Sequence, residues 1–292
     1  MTEARIKSVQ CLSPTGLHEI SYKEWGDENN PEVLICVHGV TRVGDDFDNL
    51  ARALAGSFRV VCPDIVGRGR SGRLLNPMNY SVPQYVSDMV TLIARVTSDS
   101  KDAQVSWFGT SMGGLIGMAL ASLPHNPIKK LVLNDIGPTL DATALVRIAD
   151  YIGQDLRWPD FASAAKFVRD VSLSFGEHDD DEWHKLATDV LRKGDDGQWV
   201  RHYDMGLAQP FRGSTPETAA RDQAMLWAAY DAIRCPTLLV RGADSDLLSR
   251  DTAQLMTERG PKATLVEIPN VGHAPTFLHE DQIAIARQFL LG

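Results

Sequence analysis

A chain of 292 residues with 43% hydrophobic and 23% charged residues has ordinary soluble globular composition, which excludes a disordered or fibrous class and suits one large α/β domain with an insertion. Its formal net charge of -9 argues against a nucleic-acid footprint or an anionic-membrane surface. The polar start, Met1 to Lys7, has no apolar core of a secretory signal, and no apolar run is long enough to span a bilayer. Cys11, Cys36, Cys62 and Cys235 lack any C-x-x-C spacing. The expectation is therefore a cytoplasmic protein with reduced thiols and neither a disulfide framework nor a zinc site.

The chain opens with two strands, Ile6 to Leu12 and His18 to Trp25, around the turn Ser13-Pro14-Thr15-Gly16, which predicts an antiparallel hairpin. Glu32 to Val37 is continuously apolar after its first residue, as a strand buried on both faces must be, and it runs into His38-Gly39-Val40-Thr41-Arg42. A helix over about 47–55 and the strand Phe58 to Cys62 follow. The next loop carries Gly67-x-Gly69-x-x-Gly72, letter for letter a dinucleotide fingerprint. That reading fails, because no helix opens on these glycines: Asn76-Pro77 intervenes and the next helix starts near Pro83. We read a structural loop.

After that helix, about 83–96, comes an apolar strand ending at Trp107-Phe108, then Gly109-Thr110-Ser111-Met112-Gly113-Gly114, then the apolar helix that Leu115 begins. This is a G-x-S-x-G sequence in a strand–turn–helix setting. Small residues must flank such a sharp turn, the hydroxyl stands clear of the sheet, and the helix N-terminus faces it. Ile128 to Asp135 is another buried strand. Alternation of strands and helices up to this point predicts a mostly parallel sheet with helices on both faces.

From Gly137-Pro138 the rhythm changes. Residues 139–230 show helical patterns at Ala144 to Tyr151, Phe161 to Ser174 and Trp183 to Leu191, with no convincing buried strand, and predict a helical cap inserted between core segments 1–137 and 231–292. This stretch holds Trp158, Trp183, Trp199 and Trp227 with Phe161, Phe167, Phe175 and Phe211, an aromatic layer able to roof a pocket. Trp158, Trp183 and Trp227 are the candidate substrate contacts. The acidic run Glu177 to Glu182 suits a helix start better than a metal site, since acids at a helix N-terminus complement its dipole. The parallel rhythm resumes with Pro236 to Gly242, a helix near 250–259, the strand Thr264 to Ile268, the loop Asn270-Val271-Gly272-His273-Ala274-Pro275 and a closing helix over about 281–291.

In doubly wound sheets the site lies at the carboxyl ends of the strands, where His38, Ser111, Asp135, Asp244, Asp246 and His273 all fall. A serine nucleophile needs a base within reach and a carboxylate to orient that base. His273, in a glycine-flanked loop after the last strand, is the expected base. His38 is the expected shaping residue beside an oxyanion hole.

His38-Gly39, the Asp64 to Ser71 loop, Gly109 to Gly114 and Gly272-His273-Ala274-Pro275 together resemble the α/β-hydrolase superfamily over the whole chain apart from the insertion. The resemblance implies a mostly parallel eight-stranded sheet, a cofactor-free and metal-free serine hydrolase with Ser111 as nucleophile and His273 as base, and the amides of Val40 and Met112 as oxyanion donors. The acid departs from the common pattern. Many relatives place it three residues after the glycine that ends the strand, and Ser245 stands there, with Asp244 one short and Asp246 one long. Asp246 is preferred, as the acid of a loop with one added residue; Asp244 and Asp135 stay open. The implied reaction is hydrolysis of a small carboxylic ester. Alternatives are cleavage of a carbon–carbon bond in a β-diketone-like product, an enol-lactonase, or a slow-turnover ligand receptor. Ser111 stands where epoxide hydrolases and dehalogenases of this resemblance carry aspartate.

Overall fold

Apolar residues at every position of a strand need a cover on both sheet faces, and the central strands meet that need with period-two alternation. The computed structural model describes residues 3–140, 148–213 and 216–292, with side chains described throughout except at 211–213 and 216–219. Eight strands form one sheet: β1 (Arg5–Ser13), β2 (Gly16–Trp25), β3 (Glu32–Val37), β4 (Arg59–Pro63), β5 (Gln104–Thr110), β6 (Ile128–Asn134), β10 (Thr237–Gly242) and β11 (Thr264–Ile268). Their order is β1-β2-β4-β3-β5-β6-β10-β11. β1 and β2 pair antiparallel, as do β2 and β4; the other pairings are parallel.

Ile35, Trp107, Leu131 and Leu239 face one side of this sheet, against Met89, Leu92 and Ile116 from helices α1 (Val82–Thr97) and α2 (Met112–Ala121). Leu34, Phe108, Val132 and Val240 face the other, against Leu50 and Leu54 of the helix Asp48–Leu54 and Ile283 and Leu290 of the last helix, Glu280–Leu291. Burying each such side chain contributes roughly 1.5–3 kcal/mol, so the central strands are the least movable part of the molecule.

The sheet also fixes where the insertion starts. β6 and β10 are neighbours in parallel register, Leu131 opposite Thr237 and Asn134 opposite Val240. The chain therefore leaves at the carboxyl end of β6 and must cross back to the amino end of the sheet before β10 begins, so that the ends of the two strands lie side by side. This segment is not wholly helical as expected. β7 (Arg157–Trp158), β8 (Leu191–Lys193) and β9 (Trp199–Arg201) form a three-stranded antiparallel sheet beside the helices Phe161–Val171, Asp180–Thr188 and Pro216–Ala232. Strands of two or three half-exposed residues are too short to leave a period in the sequence. The turn between β8 and β9 did leave a signal: Gly197 takes φ 80° in Gly194-Asp195-Asp196-Gly197, and the Gly194 amide donates to the Gln198 carbonyl at 2.7 Å.

Residues 148–152 are helical, as expected for the end of the 144–151 pattern; its first four residues, 144–147, lie outside the described residues. The Phe211 side chain lies outside them as well. The acidic run caps a helix: Asp179 accepts from the Glu182 amide, and Glu182 accepts in return from the Asp179 amide. Among the described residues no helix is long and apolar enough to cross a membrane.

Candidate active site

Ser111 sits between β5 and α2 with φ 51° and ψ -116°, a conformation that L residues avoid unless their surroundings hold it. Two contacts hold it. Its amide donates to the Asn134 carbonyl at 2.9 Å, and its own carbonyl accepts from the Gly114 amide at 2.8 Å. Gly113 is required by space, since a Cβ there would lie 2.0 Å from the Val37 carbonyl oxygen. The turn can thus be this tight only because the helix start lies directly on β3.

Around Ser111 the hydrogen bonds assign protons. Its hydroxyl is 2.9 Å from Nε2 of His273, and Nδ1 of His273 is 2.7 Å from Oδ2 of Asp135. A carboxylate can only accept, so Nδ1 carries the proton and Nε2 is left to accept from the serine. Asp135 is fully buried and takes two further donors, the Gly242 amide at 2.9 Å on Oδ1 and the Ser245 hydroxyl at 2.6 Å on Oδ2.

This corrects the expected acid. Asp246 and Asp244 are exposed, Asp246 on the cavity wall, and the carboxylate facing His273 belongs to Asp135. The reason lies in the adjacency of β6 and β10. Both strand ends reach the same imidazole, so a carboxylate after either one can serve, and the residue at the common acid position, Ser245, becomes a donor to the carboxylate from next door. The Ser245 amide closes a tight turn onto the Gly242 carbonyl at 3.0 Å, and Asp246 beyond it is exposed.

His38 is buried and neutral, its pKa lowered to about 3 chiefly by burial. Its Nε2 accepts from the Ile65 amide at 2.9 Å, so its Nδ1 proton donates to the Gly39 carbonyl at 2.7 Å. It therefore pins the loop that carries Val40. A Cβ on Gly39 would be 3.7 Å from that of Ser111, which sets this loop beside the Ser111 turn. Met112 opens α2, where a helix amide has no intrahelical acceptor.

Arg68, unremarked in the sequence, ties both positions together. Its guanidinium is buried and donates to the Val40 carbonyl at 2.9 Å and to Met112 Sδ at 3.3 Å. The 67–72 loop is thus a brace behind these two residues, with no dinucleotide turn. Gly69, at φ 52°, is needed because a Cβ would lie 2.3 Å from Asp64 Oδ2. The insertion docks on the same loop: His202 Nδ1 accepts from the Gly69 amide at 2.7 Å, its Nε2 proton reaches the Thr41 carbonyl at 3.2 Å, and Asp204 accepts from the Tyr80 hydroxyl at 2.6 Å. Burial lowers the His202 pKa to about 3.

A cavity of about 550 Å³ opens over Ser111 and His273, within the usual range for small-molecule sites. Its wall from the insertion includes Ile148, Tyr151, Val171, Phe175, Leu186 and Tyr203. None of the three expected tryptophans lines it. Trp158 packs with Phe161 and Trp199 inside the insertion, Trp183 with Leu186 and Leu278, and Trp227 donates to Thr139 at 3.0 Å beneath the Arg259 guanidinium. The indoles find their packing outside the cavity, Trp158 and Trp183 in small clusters and Trp227 against the main core. A second clamp comes from the turn Leu173–Phe175: the Ser174 carbonyl accepts from the Gly272 amide, and its hydroxyl donates to the His273 carbonyl at 3.0 Å.

Strand order, the turn at Ser111 and an insertion after the sixth strand of the sheet together define an α/β protein of the hydrolase type. The chain belongs to the alpha/beta hydrolase family, whose profile matches residues 34–287. It is 53% identical over 291 residues to a 3-hydroxybutyrate-oligomer hydrolase from Cupriavidus necator, covering 99% of this chain and 98% of that one. A pimeloyl-(acyl-carrier protein) methyl ester esterase from Stenotrophomonas maltophilia is 27% identical over 265 residues, 87% of this chain and 91% of its own. The crystal structure of an alpha/beta hydrolase from Novosphingobium aromaticivorans superposes with a TM-score of 0.85 at 34% identity, over 100% of this chain and 99% of that one.

Proposed function

We propose that this protein is a cofactor-free serine esterase that hydrolyses short linear oligomers of 3-hydroxybutyrate. The observation that carries the chemistry is the unbroken chain Ser111 Oγ, His273, Asp135 at the foot of the cavity. The similarity to the Cupriavidus necator enzyme over nearly the full length of both chains supports the substrate class.

Ser111 attacks the ester carbonyl as Nε2 of His273 takes its proton. The buried carboxylate of Asp135 holds the imidazole in the required tautomer and offsets the positive charge it gains. The amides of Val40 and Met112 receive the oxyanion, each contributing roughly 10²–10³ in rate. His273 returns the proton to the leaving alcohol. A water activated by the same nitrogen then releases the acyl group from Ser111. In this reading residues 138–230 serve as a cap between core segments 1–137 and 231–292, the substrate is a small molecule, and four free thiols suit a cytoplasmic setting.

The test is Ser111→Ala assayed on p-nitrophenyl butyrate and on the linear dimer and trimer of 3-hydroxybutyrate. The expected result is a fall on the order of 10⁶ in turnover on all three. Wild-type enzyme that cleaves p-nitrophenyl butyrate but neither oligomer would retain the esterase and remove the substrate.

A further inference from the structure

The cavity over Ser111 holds a cation and a hydroxyl that the mechanism does not use. Arg201, at the end of β9, is 5% exposed and lines the cavity. Its Nη1 donates to the Tyr151 carbonyl at 2.9 Å and its Nη2 to the Gln154 carbonyl, and its guanidinium lies between two cavity-wall rings, 4.7 Å from the centre of Tyr151 and 4.9 Å from that of Tyr203. Among the described residues no carboxylate pairs with it. Tyr203 is 3% exposed, and its hydroxyl is buried with no hydrogen-bond partner among the described residues. A buried charge without a counter-charge and a buried donor without an acceptor are each costly, and here they lie side by side.

The other charges of the wall are already matched or outside. Arg42 is held by both oxygens of Asp46 through its Nε and Nη2, at 2.7 and 2.5 Å, Asp170 pairs with Lys166, and Asp246 is exposed. Arg68, the other buried guanidinium without a carboxylate partner among the described residues, adds its charge near Tyr203 from behind. Burial also keeps the Tyr203 hydroxyl protonated, so that it can donate.

We propose that Arg201 and Tyr203 form a subsite for the free carboxylate of the substrate, on the leaving-alcohol side of the ester that Ser111 attacks. This rests on the reading that the substrate is a hydroxyacid oligoester. In a linear 3-hydroxybutyrate oligomer the acyl part of any ester bond leads to the hydroxyl end and the alcohol part leads to the carboxylate. A carboxylate held at a fixed place in the wall therefore sets which ester reaches Ser111, counted from the acid end. The first product to leave is a short hydroxyacid, while the remainder stays on the serine. Both Nε of Arg201 and the Tyr203 hydroxyl are free to donate to the two carboxylate oxygens, charge-assisted bonds that a neutral ester end cannot replace.

The test compares kcat/KM for the free-acid dimer and for its methyl ester on wild-type, Arg201→Gln and Tyr203→Phe enzymes, with melting temperatures to verify folding. A second pair, 3-butyryloxybutyrate and its methyl ester, repeats the comparison without an oligomer. Wild-type enzyme is expected to prefer each free acid by roughly tenfold or more, through KM. Arg201→Gln is expected to bring that ratio close to one, and Tyr203→Phe to lower it part of the way. Equal kcat/KM for acid and methyl ester on wild-type enzyme, or a ratio unchanged in a folded Arg201→Gln, overturns the subsite. If both dimers resist cleavage while the second pair shows the preference, the subsite stands and the oligomer reading falls.

Discussion

The ends of β6 and β10 are next to each other, point the same way and each offer aspartate, yet they do opposite things. The β6 end delivers Asp135 into full burial, with φ 53° and three donors around its carboxylate. The β10 end presents Asp244 and Asp246 to solvent and contributes a hydroxyl instead. The difference teaches that the carboxylate that orients an imidazole is recognised less by its loop than by what surrounds it. Three donors converge on the buried carboxylate of Asp135, whereas Asp244 and Asp246 are exposed.

The sharpest way to break this contrast is Asp135→Asn, which leaves the shape and reverses the imidazole tautomer. A loss of about 10⁴ in kcat on p-nitrophenyl butyrate is expected, with the fold retained by circular dichroism. Ser245→Ala withdraws one donor from the same carboxylate while keeping the others, and kcat/KM should fall roughly tenfold. A smaller effect separates the buried histidines from the exposed surface. His38 and His202 have folded-state pKa values of about 3 against 6.5 for an ordinary histidine, so between those limits the unfolded chain binds protons that the folded one refuses. Stability is whole above pH 6.5 and falls as the pH drops toward 3, each histidine contributing up to about 1.4 kcal/mol per pH unit. Urea midpoints at pH 7 and pH 5 should show this fall, and His202→Asn should make it shallower by one histidine's share. Smallest of all are Asp246→Asn and Trp183→Phe, which should change kcat/KM by no more than about threefold. A large loss in Asp246→Asn with an active Asp135→Asn would invert the whole comparison.

The frame of the molecule was legible because it rests on long signals. β3 read as a buried strand from its continuous apolar run and β5 and β6 from the apolar residues that end them, and the glycines around Ser111 announced a turn whose tightness Gly113 makes possible. The His273 loop was legible for the same reason. Residue spacing could not say which of two neighbouring strand ends supplies the acid, since strand adjacency is a fact of the sheet and not of the chain. The tryptophans misled because an indole's size argues for burial and is silent on which cluster buries it. Arg68, Arg201 and Tyr203 carried no pattern; only burial beside unpaired polar groups marks them out. The three short strands of the insertion were invisible for want of length, although the glycine turn joining two of them was in view.

His202 belongs to the insertion, but its ring is a rivet through two loops of the sheet domain, one of them the stretch that presents Val40. The insertion and the loop that carries Val40 are therefore mechanically one piece. On the proposed mechanism, a shortened chain lacking residues 138–230 is expected to lose activity rather than gain breadth, because it would also lose the ring that holds the Thr41 carbonyl next to Val40.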